Sequence, residues 1–497
     1  MKIKFDNISG NLYNALSLFQ KRYSIRTNSK DTNAFIKMRA NGNKRAKPSA
    51  HHGAKSEDIP LVLRQANLNN LLVAPRPSTI VPTHAPGSSE QPCQVALFYD
   101  LDAFDESLEA LKTSFGSPSH WRHCLAVKAN PLLKMLQMAV ERGFGLECAS
   151  IVEVELSIKA GCRPDFVVYD SPCKTVSELR RALHLGVQIN CDGFDEIERV
   201  ARILLDERIP SKSVIGVRIN PLLGMGNIRA LSVSDATSKF GIPFTDENKT
   251  RIIQYFSEYP FLNALHVHVG SQGCSLEMLA SGASAIYNLA EELGGSPRIK
   301  VLDIGGGLPT NFDSDETTPS FEAYAQVLRK MVPKLFSEDN KYIVVTEFGR
   351  SMHAKLGWIA STCELVKEAG GRRIAVIHVG SDMFVRTCYC RKDFPLRVEI
   401  VDGEKFDLKQ GETQEHNVVG PLSFGGDKIC EAKMLPKINS NDIVVVRDAG
   451  ANCLSLWSRH CSRPSPPVFG YRIKDTCVEL VQLRKQESLA QVLSFWE

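Results

Sequence analysis

The stretch HCLAVKANPLLKMLQMAVERGFGLECAS, residues 123–150, places a strand, a helix and a second strand in succession. Its apolar runs HCLAV and FGLECA have the length and continuity of strands that are buried on both faces. Between them, apolar side chains recur on one helical face, with Asn130 as the expected N-cap and Pro131 as the first helical residue. The stretch therefore predicts a βαβ unit with parallel strands.

The same alternation of apolar run and amphipathic segment continues to residue 350. Eight such units in about 230 residues favour an α/β fold with a closed (β/α)8 TIM barrel over an open sheet. The eight predicted strands are HCLAV (123–127), FGLECA (144–149), DFVVYD (165–170), VQINCD (187–192), VIGVRIN (214–220), ALHVHVG (264–270), KVLDIGG (300–306) and YIVVTEF (342–348).

Beyond Arg350 the pattern changes to short β-type runs separated by turn residues, which predicts a C-terminal antiparallel β domain. We therefore expect a basic, Pro/Ser-rich disordered tail and linker over 1–94, a barrel over 95–350 and the β domain over 351–497. The run VALFYDL at 95–101 has an alternative place, because it could add a strand to the β domain.

Charge is unevenly distributed along the chain. Residues 1–55 contain twelve Lys or Arg and two Asp, a formal charge of +10, whereas the whole chain carries only +4. The small total gives no reason to expect nucleic acid as a partner. The basic start is either a plastid or mitochondrial transit peptide or a plain extension of a cytoplasmic protein.

The composition predicts neither a membrane partner nor a metal site. No run approaches the ~18 apolar residues of a membrane span, so we expect no membrane partner. The fourteen cysteines are scattered and contain no CxxC pair, which indicates free thiols in a reducing compartment and no metal site.

Candidate catalytic residues lie at the predicted strand ends, where barrel enzymes carry their catalytic groups. They include a lysine, a histidine, two carboxylates, two arginines and a glycine run, so together they predict an active site at one mouth of the barrel. Each alone has a structural alternative, such as a rim lysine, a core histidine or a tight glycine turn. The residues are Lys128, Glu147, Arg218, His268, Ser271, Gly305–Gly307, Glu347 and Arg350.

The chemistry of this set points to one cofactor. A buried lysine is expected to have a lowered pKa and to act as a nucleophile. Glycine backbone amides and Arg350 suit a phosphate, and Glu347 suits a ring nitrogen. A dinucleotide site is disfavoured, because GGGLPTNF lacks the third glycine and no helix follows at once. The combination matches the aldehyde, phosphate and ring nitrogen of pyridoxal 5′-phosphate (PLP).

Five motifs in order resemble the PLP-dependent ornithine/diaminopimelate/arginine decarboxylase family, which has an alanine-racemase-like fold. They are VKANP (127–131), SKFG (238–241), HVGS (268–271), LDIGGG (302–307) and EFGR (347–350), and the resemblance covers roughly residues 95–475. It implies that Lys128 binds PLP covalently, that His268 stacks on its ring and that Glu347 pairs with its ring nitrogen. It also implies a head-to-tail homodimer with shared active sites. The other expected cofactor-binding residues are Glu147, Arg218, Ser271, Gly306, Gly307, Gly349, Arg350 and Asn452.

Two positions depart from the family pattern. Ser423 stands where the family has the cysteine that is assigned as general acid, and a hydroxyl is a much weaker acid than a thiol. Asn452 stands where the family has a tyrosine that contacts phosphate. These changes predict slow turnover or protonation by another group, and they leave a non-catalytic decarboxylase-like regulator as an alternative. A racemase-type isomerase on the same fold is disfavoured by the order of the motifs.

The resemblance is nearest the diaminopimelate branch, so the expected reaction converts meso-diaminopimelate to L-lysine. The stretch HVGSDMFVRTCY (378–389) is similar to related enzymes that take D-ornithine or D-lysine, which is the alternative. Arg386 is expected to bind a substrate carboxylate and Asp427 the distal ammonium, unless both form surface ion pairs.

Overall fold

The computed structural model describes residues 51–69, 71–72, 93–116, 120–208, 211–224, 226–228 and 231–497. The predicted transit peptide or extension over residues 1–50, and the linker residues 73–92, lie outside the described residues. Within those described ranges, no helix is long and apolar enough to cross a membrane.

Three elements precede the barrel, namely helix α1 (Ile59–Leu68), strand β1 (Val95–Asp100) and helix α2 (Leu101–Phe115). Asp100 ends β1 and caps α2, because its carboxylate accepts hydrogen bonds from the backbone N–H groups of Asp102 and Ala103. Strand β1 pairs with Gly357–Ala369 and Val468–Lys474 and not with the barrel. It therefore belongs to the second sheet.

Eight parallel strands close into the predicted barrel. They are β2 (Trp121–Ala126), β3 (Gly145–Cys148), β4 (Val167–Asp170), β5 (Gln188–Cys191), β6 (Ile215–Asn220), β8 (Leu262–Val267), β9 (Val301–Asp303) and β10 (Ile343–Phe348), with the two-residue β7 (Ile242–Pro243) beside β6. The ring closes where β10 pairs with β2, and β5 pairs with β6. Because helices cover the outside and side chains fill the inside, the strands are apolar runs buried on both faces.

Helices follow the barrel strands, and hydroxyl side chains begin most of them. Thr175, Thr245, Ser275 and Ser320 each accept a hydrogen bond from the backbone N–H three residues later. The helices are α3 (Leu133–Glu141), α4 (Ile151–Lys159), α5 (Val176–Leu185), α6 (Phe194–Leu205), α7 (Asp246–Glu258), α8 (Leu276–Glu292), α9 (Phe321–Met331) and the short α10 (Arg350–His353).

Helix α3 begins later than the sequence predicts. Residues Val127–Ala129 form a 3-10 turn, and the side-chain oxygen of Asn130 accepts a hydrogen bond from the N–H of Leu132 at 3.2 Å. The asparagine thus stabilises a turn and does not cap the helix. As a result Lys128 lies in a short turn between β2 and α3.

The second sheet is mainly antiparallel, as predicted, although β1 and β12 each have one parallel neighbour. Its strands after the barrel are β11 (Gly357–Ala369), β12 (Arg372–Ile377), β13 (Val398–Val401), β14 (Thr413–Val419), β15 (Lys428–Pro436), β16 (Ile443–Val446), β17 (Val468–Lys474) and β18 (Cys477–Arg484). Helices α11 (Val385–Tyr389) and α12 (Leu489–Ser494) accompany them. The sequence pattern does not predict strands β11 and β15, because each contains a half that is largely exposed and polar and so forms no continuous apolar run.

Residues 51–69 correct the expectation of disorder up to residue 94. Helix α1 packs against the face of the second sheet that contains Phe98 and Trp358. The signal for this helix in the sequence is weak, because the helix is short and its partner strands are distant along the chain. Its buried apolar side chains are Ile59, Val62, Leu63 and Ala66.

Arg447, at the end of β16, fixes the segment before α1. Its buried guanidinium donates to Ser56 Oγ at 2.6 Å, to Asp315 Oδ1 at 3.0 Å and to Glu399 Oε2 at 3.2 Å, and it also donates to the carbonyl oxygen of Ala54. One side chain thereby joins the N-terminal segment, a barrel loop and the second sheet.

Replacing Arg447 with methionine is expected to release residues 51–69. Removing one partner of a buried ion pair costs about 3 kcal/mol, and the apolar core of α1 cannot recover that loss alone. Denaturant unfolding should show this loss of free energy, and limited proteolysis should cut the segment faster. Arg64→Met is the matched control, because the exposed Arg64–Asp407 pair contributes only about 0–1 kcal/mol. Equal effects of the two variants would contradict the role of Arg447.

Candidate active site

Lys128 forms an ion pair with Glu147 across the ends of two adjacent strands. Its ammonium group donates to both carboxylate oxygens, at 2.7 and 2.8 Å. The Glu147 side chain is fully buried, whereas 48% of the Lys128 side chain is exposed. The lysine is thus held from one side and accessible from the other.

The pKa of Lys128 is raised, which corrects the expectation of a lowered value. Burial lowers the pKa, but the negative charges of Glu147, Glu347 and Asp170 together outweigh burial. The carboxylates hold the lysine in its charged form in this state of the protein. Desolvation alone was therefore the wrong basis for the prediction.

A row of buried ionisable side chains lies beside this pair. Arg218 donates to Asp170 Oδ2 at 2.7 Å. The ring of His266 lies between Asp170 Oδ1, 3.7 Å from Nδ1, and Glu347 Oε2, 3.4 Å from Nε2. Burial and the charges of Glu147 and Asp170 raise the pKa of Glu347 well above its usual value. The row joins β4, β6, β8 and β10 through charge and hydrogen bonding.

Asp170 and His266 were not among the predicted site residues. Two signals could have identified them: Asp170 ends the third predicted strand, and His266 precedes His268 by two residues. In a strand, residues two apart point to the same side, so both histidines belong to one face.

His268 is a neutral imidazole with a defined tautomer. Its Nδ1 accepts a hydrogen bond from the backbone N–H of Gly306 at 3.1 Å, so the ring proton is on Nε2. Burial, followed by the charges of Arg218 and Lys128, lowers the pKa of His268 well below 6.5. Being uncharged, the ring can lie against a flat aromatic group without the cost of desolvating a cation.

The glycine run after β9 forms a turn that side chains would block. Gly305 and Gly307 have φ of +66° and +99°, a region that favours glycine. A Cβ on Gly306 would overlap the carbonyl oxygen of Glu347, and one on Gly307 would overlap that of Gly270. Ser271 lies beside this turn, and its backbone N–H donates to the carbonyl of Leu231 at 3.0 Å. Only glycine fits these positions, because the backbone of the turn packs closely against the chain at Glu347 and Gly270.

Two arginines of the same chain lie over one aromatic ring. Arg350, which follows Gly349, and Arg386, on α11, lie over the ring of Phe394 at 5.3 and 5.6 Å. Burial and the charge of Arg386 lower the pKa of Arg350 to about 9. Two cations this close in a buried place favour a bound anion between or beside them.

A loop of the second sheet reaches the lysine turn. The backbone N–H of Asn452 donates to the carbonyl of Ala129 at 2.9 Å. Asp448 fixes the loop, because it accepts two hydrogen bonds of 2.8 Å from Arg397 and lies 3.2 Å from Lys355 Nζ. Asn452 is therefore adjacent to Lys128 within one chain.

The remaining two predicted residues lie in the loop that follows β14. Ser423 is exposed. Asp427 is 3% exposed, and its two oxygens accept from the N–H groups of Ser381 at 2.5 Å and Leu422 at 2.8 Å. This corrects the expected role of Asp427: its carboxylate organises two loops and is not available to a substrate ammonium.

The residues present fit PLP. Glu347 Oε1 is buried without a hydrogen-bond partner among the described residues, which suits a ring nitrogen that carries a proton. Arg350 Nε is likewise buried without such a partner, which suits a bound anion such as the phosphate. Lys128 provides the amine that the aldehyde requires. These three features satisfy the three functional ends of the cofactor.

Comparison with known proteins gives a consistent result. A family model described as the pyridoxal-binding domain of pyridoxal-dependent decarboxylases matches residues 101–354. Diaminopimelate decarboxylase of Helicobacter pylori is 25% identical over 395 residues, 79% of this chain and 92% of the relative. That of Campylobacter jejuni is 27% identical over 392 residues, 78% of this chain and 92% of the relative. The crystal structure of the Helicobacter pylori enzyme complexed with L-lysine is similar in fold, with a TM-score of 0.69, 23% identity and coverage of 81% of this chain and 95% of that chain.

Substituting Gly306 with alanine is expected to weaken PLP binding by about 5- to 150-fold, the equivalent of the 1–3 kcal/mol that overpacking costs. The new Cβ would displace the carbonyl of Glu347 and with it both the glycine turn and the acid. Equilibrium dialysis of the apoprotein gives the dissociation constant. Gly425→Ala is the control, because nothing lies within 4 Å of its Cβ position. Unchanged affinity in Gly306→Ala would show that the turn does not hold the cofactor.

Proposed function

The chain belongs to the family of pyridoxal-dependent decarboxylases, and on that premise we propose that it converts meso-diaminopimelate to L-lysine. The observation that supports this proposal is a second arginine, the half-buried Arg386, which lies with Arg350 over the ring of Phe394. We assign Arg350 to the phosphate and Arg386 to a carboxylate that the reaction does not remove. Meso-diaminopimelate has such a carboxylate, whereas ornithine and lysine have none.

We assign Lys128 as the residue that binds the aldehyde of PLP and Glu347 as the partner of the ring nitrogen. His268 is assigned to the face of the ring. When bound, PLP supplies an electron sink that accepts the electron pair left by CO2. The residues that would hold the cofactor around these are Glu147, Arg218, Ser271, Gly306, Gly307, Gly349, Arg350 and Asn452.

The chain's own groups have separate tasks in this assignment. Glu147 orients the Lys128 amine through its two hydrogen bonds. Glu347, buried and near other carboxylates, has a raised pKa and so binds a proton donor strongly. Glu147 and Glu347 are buried, which strengthens the electrostatic interactions that these two carboxylates make.

We further propose a head-to-tail homodimer in which Ser423 of one chain completes the site of the other as the proton donor. Ser423 is exposed, and the neighbouring Phe424 stacks on Tyr389, which is itself 47% exposed. An exposed aromatic pair beside a loop fixed by Asp427 is suited to an interface. Light scattering that gives the mass of a single chain at assay concentration would contradict shared sites.

A reducing, cytoplasmic location is the proposal that the cysteines support. All fourteen lie in the described part of the chain and all are free. Eight are buried, where they act as small apolar side chains.

The reaction is tested with purified PLP-loaded protein and five substrates: meso-diaminopimelate, D-ornithine, D-lysine, L-ornithine and L-arginine. We expect CO2 from meso-diaminopimelate and a visible absorbance band of lysine-bound cofactor. Lys128→Ala should lose both, whereas Lys159→Ala, an exposed helical lysine, should lose neither. CO2 from D-ornithine or D-lysine instead would reassign the substrate, and a band without CO2 from any substrate would favour a regulator.

Replacing Ser423 with cysteine is expected to raise turnover, because a thiol with a pKa near 8.5 is a better acid than a hydroxyl. The gain should reach about 10²-fold if protonation limits the rate, the lower end of what a general acid contributes. Steady-state kinetics measures kcat, and Ser423→Ala provides the comparison. If neither variant changes kcat, the proton comes from another group.

A further inference from the structure

Asp170, His266 and Glu347 form a cluster that the assignments above use only in part. One ligand-type atom from each lies within 4.8 Å of those of the other two. The three residues are 6%, 0% and 4% exposed. Water therefore cannot compensate for any mismatch of donors and acceptors among them.

Donors and acceptors are in fact unmatched in this cluster. Both ring nitrogens of His266, Oδ1 of Asp170 and Oε1 of Glu347 have no hydrogen-bond partner among the described residues. The His266 nitrogens are 3.7 and 3.4 Å from the two carboxylates, slightly longer than a hydrogen bond. A small movement would satisfy both sides of the ring.

The number of protons on the His266 ring and the two carboxyl groups decides whether this arrangement is repulsive. A neutral imidazole has one N–H, so its other nitrogen would direct a lone pair at an ionised carboxylate. The repulsion disappears if the cluster holds one additional proton, on the second ring nitrogen or on a carboxyl group.

Asp170 does not hold that proton. Burial raises its pKa, but Arg218 at 2.7 Å and then His266 outweigh burial, and the net pKa is below the usual value. Asp170 therefore faces His266 Nδ1 as an ionised carboxylate, which favours the N–H of a neutral ring on Nδ1 and leaves the additional proton to His266 Nε2 and Glu347 Oε2.

The other charged groups that face His266 are accounted for. Arg218 is paired with Asp170, and Glu147 with Lys128. Asp303 is fully buried, its pKa is raised by burial and by the charge of Glu347, and its oxygens accept hydrogen bonds from Gln188 Nε2 and from the N–H of Gly305, both at 3.1 Å. His268 is neutral. None of them supplies a mobile proton to the His266–Glu347 pair.

We propose that His266 is a positioning residue that shares one proton with Glu347 and, with Asp170 behind it, keeps Glu347 ionised when a cation faces its Oε1. The proton lies on His266 Nε2 in that case and on Glu347 when no cation is present. The inference rests on the proposed assignment of Glu347 to the ring nitrogen of PLP. It adds a determinant of that nitrogen's protonation that the family motifs do not contain.

The first test uses apoprotein and so does not depend on cofactor or activity. Infrared spectroscopy should show a carboxylic-acid C=O band that is lost in Glu347→Gln and that titrates away as pH rises. In His266→Leu the carboxyl group has lost its donor, so the band should persist to higher pH. His123→Gln is the control, because His123 is a buried barrel histidine that pairs with Thr346 at 2.8 Å and lies outside the cluster.

The second test reads the ring nitrogen directly in holoenzyme prepared with ¹⁵N-labelled PLP. In the unaltered protein and in His123→Gln the nitrogen should be protonated between about pH 6 and 9, whereas in His266→Leu it should lose its proton within that range. The kcat of His266→Leu should fall by about tenfold or more, while its KM changes less than about threefold. In His266→Gln, which keeps one hydrogen-bond donor, the ring-nitrogen protonation and kcat should lie between those of the unaltered protein and those of His266→Leu.

The results of these two tests distinguish a failure of this proposal from a failure of the proposed function. An unchanged infrared band and unchanged ¹⁵N shift in folded His266→Leu would overturn the role of His266. If His266→Leu does not fold, the same measurements on His266→Gln against His123→Gln decide the question. Absence of CO2 from every substrate, together with a shifted apoprotein band, would overturn the proposed function and leave the shared proton supported.

Discussion

The ion pair between Lys128 and Glu147 is the interaction on which the geometry of the site depends. It joins the ends of adjacent strands, and the buried carboxylate would be costly without its cation. A closed parallel barrel makes such pairing necessary, because all strands end at one mouth and their inward groups share a region of low dielectric. The raised pKa of Lys128 and the lowered pKa of Asp170 are therefore two results of the same balance of charge.

The open side of the mouth is supported by the second sheet and by the N-terminal segment. Asp315 links them, because it accepts hydrogen bonds from both Arg397 and Arg447. Arg397 also holds Asp448, from which the loop runs to Asn452 and the lysine turn. The position of Asn452 thus depends on residues more than one hundred positions away in sequence, and the segment before α1 is part of that support.

Continuous apolar runs predicted the eight barrel strands, because burial on both faces leaves a strong signal in the sequence. Local pattern was insufficient where the outcome depends on distant partners. Helix α1 is buried only because the second sheet covers it. Lys128 was identified by its position, but its pKa is raised where a lowered pKa was predicted. The reason is that three carboxylates from other strands outweigh desolvation. Asp427 was assigned to substrate, yet its partners are backbone N–H groups that no motif reveals.

The two departures from the family pattern affect different parts of the reaction. The groups that we assign to the loss of CO2 are buried or paired within one chain, namely Lys128, Glu147, His268 and Glu347. Asn452 contacts the lysine turn through its backbone N–H, a contact that does not depend on side-chain identity. Ser423 alone changes the acidity of a group expected to donate a proton. The departures therefore bear on reprotonation of the product carbon more than on decarboxylation, so a slow enzyme follows from this site more directly than an inactive one.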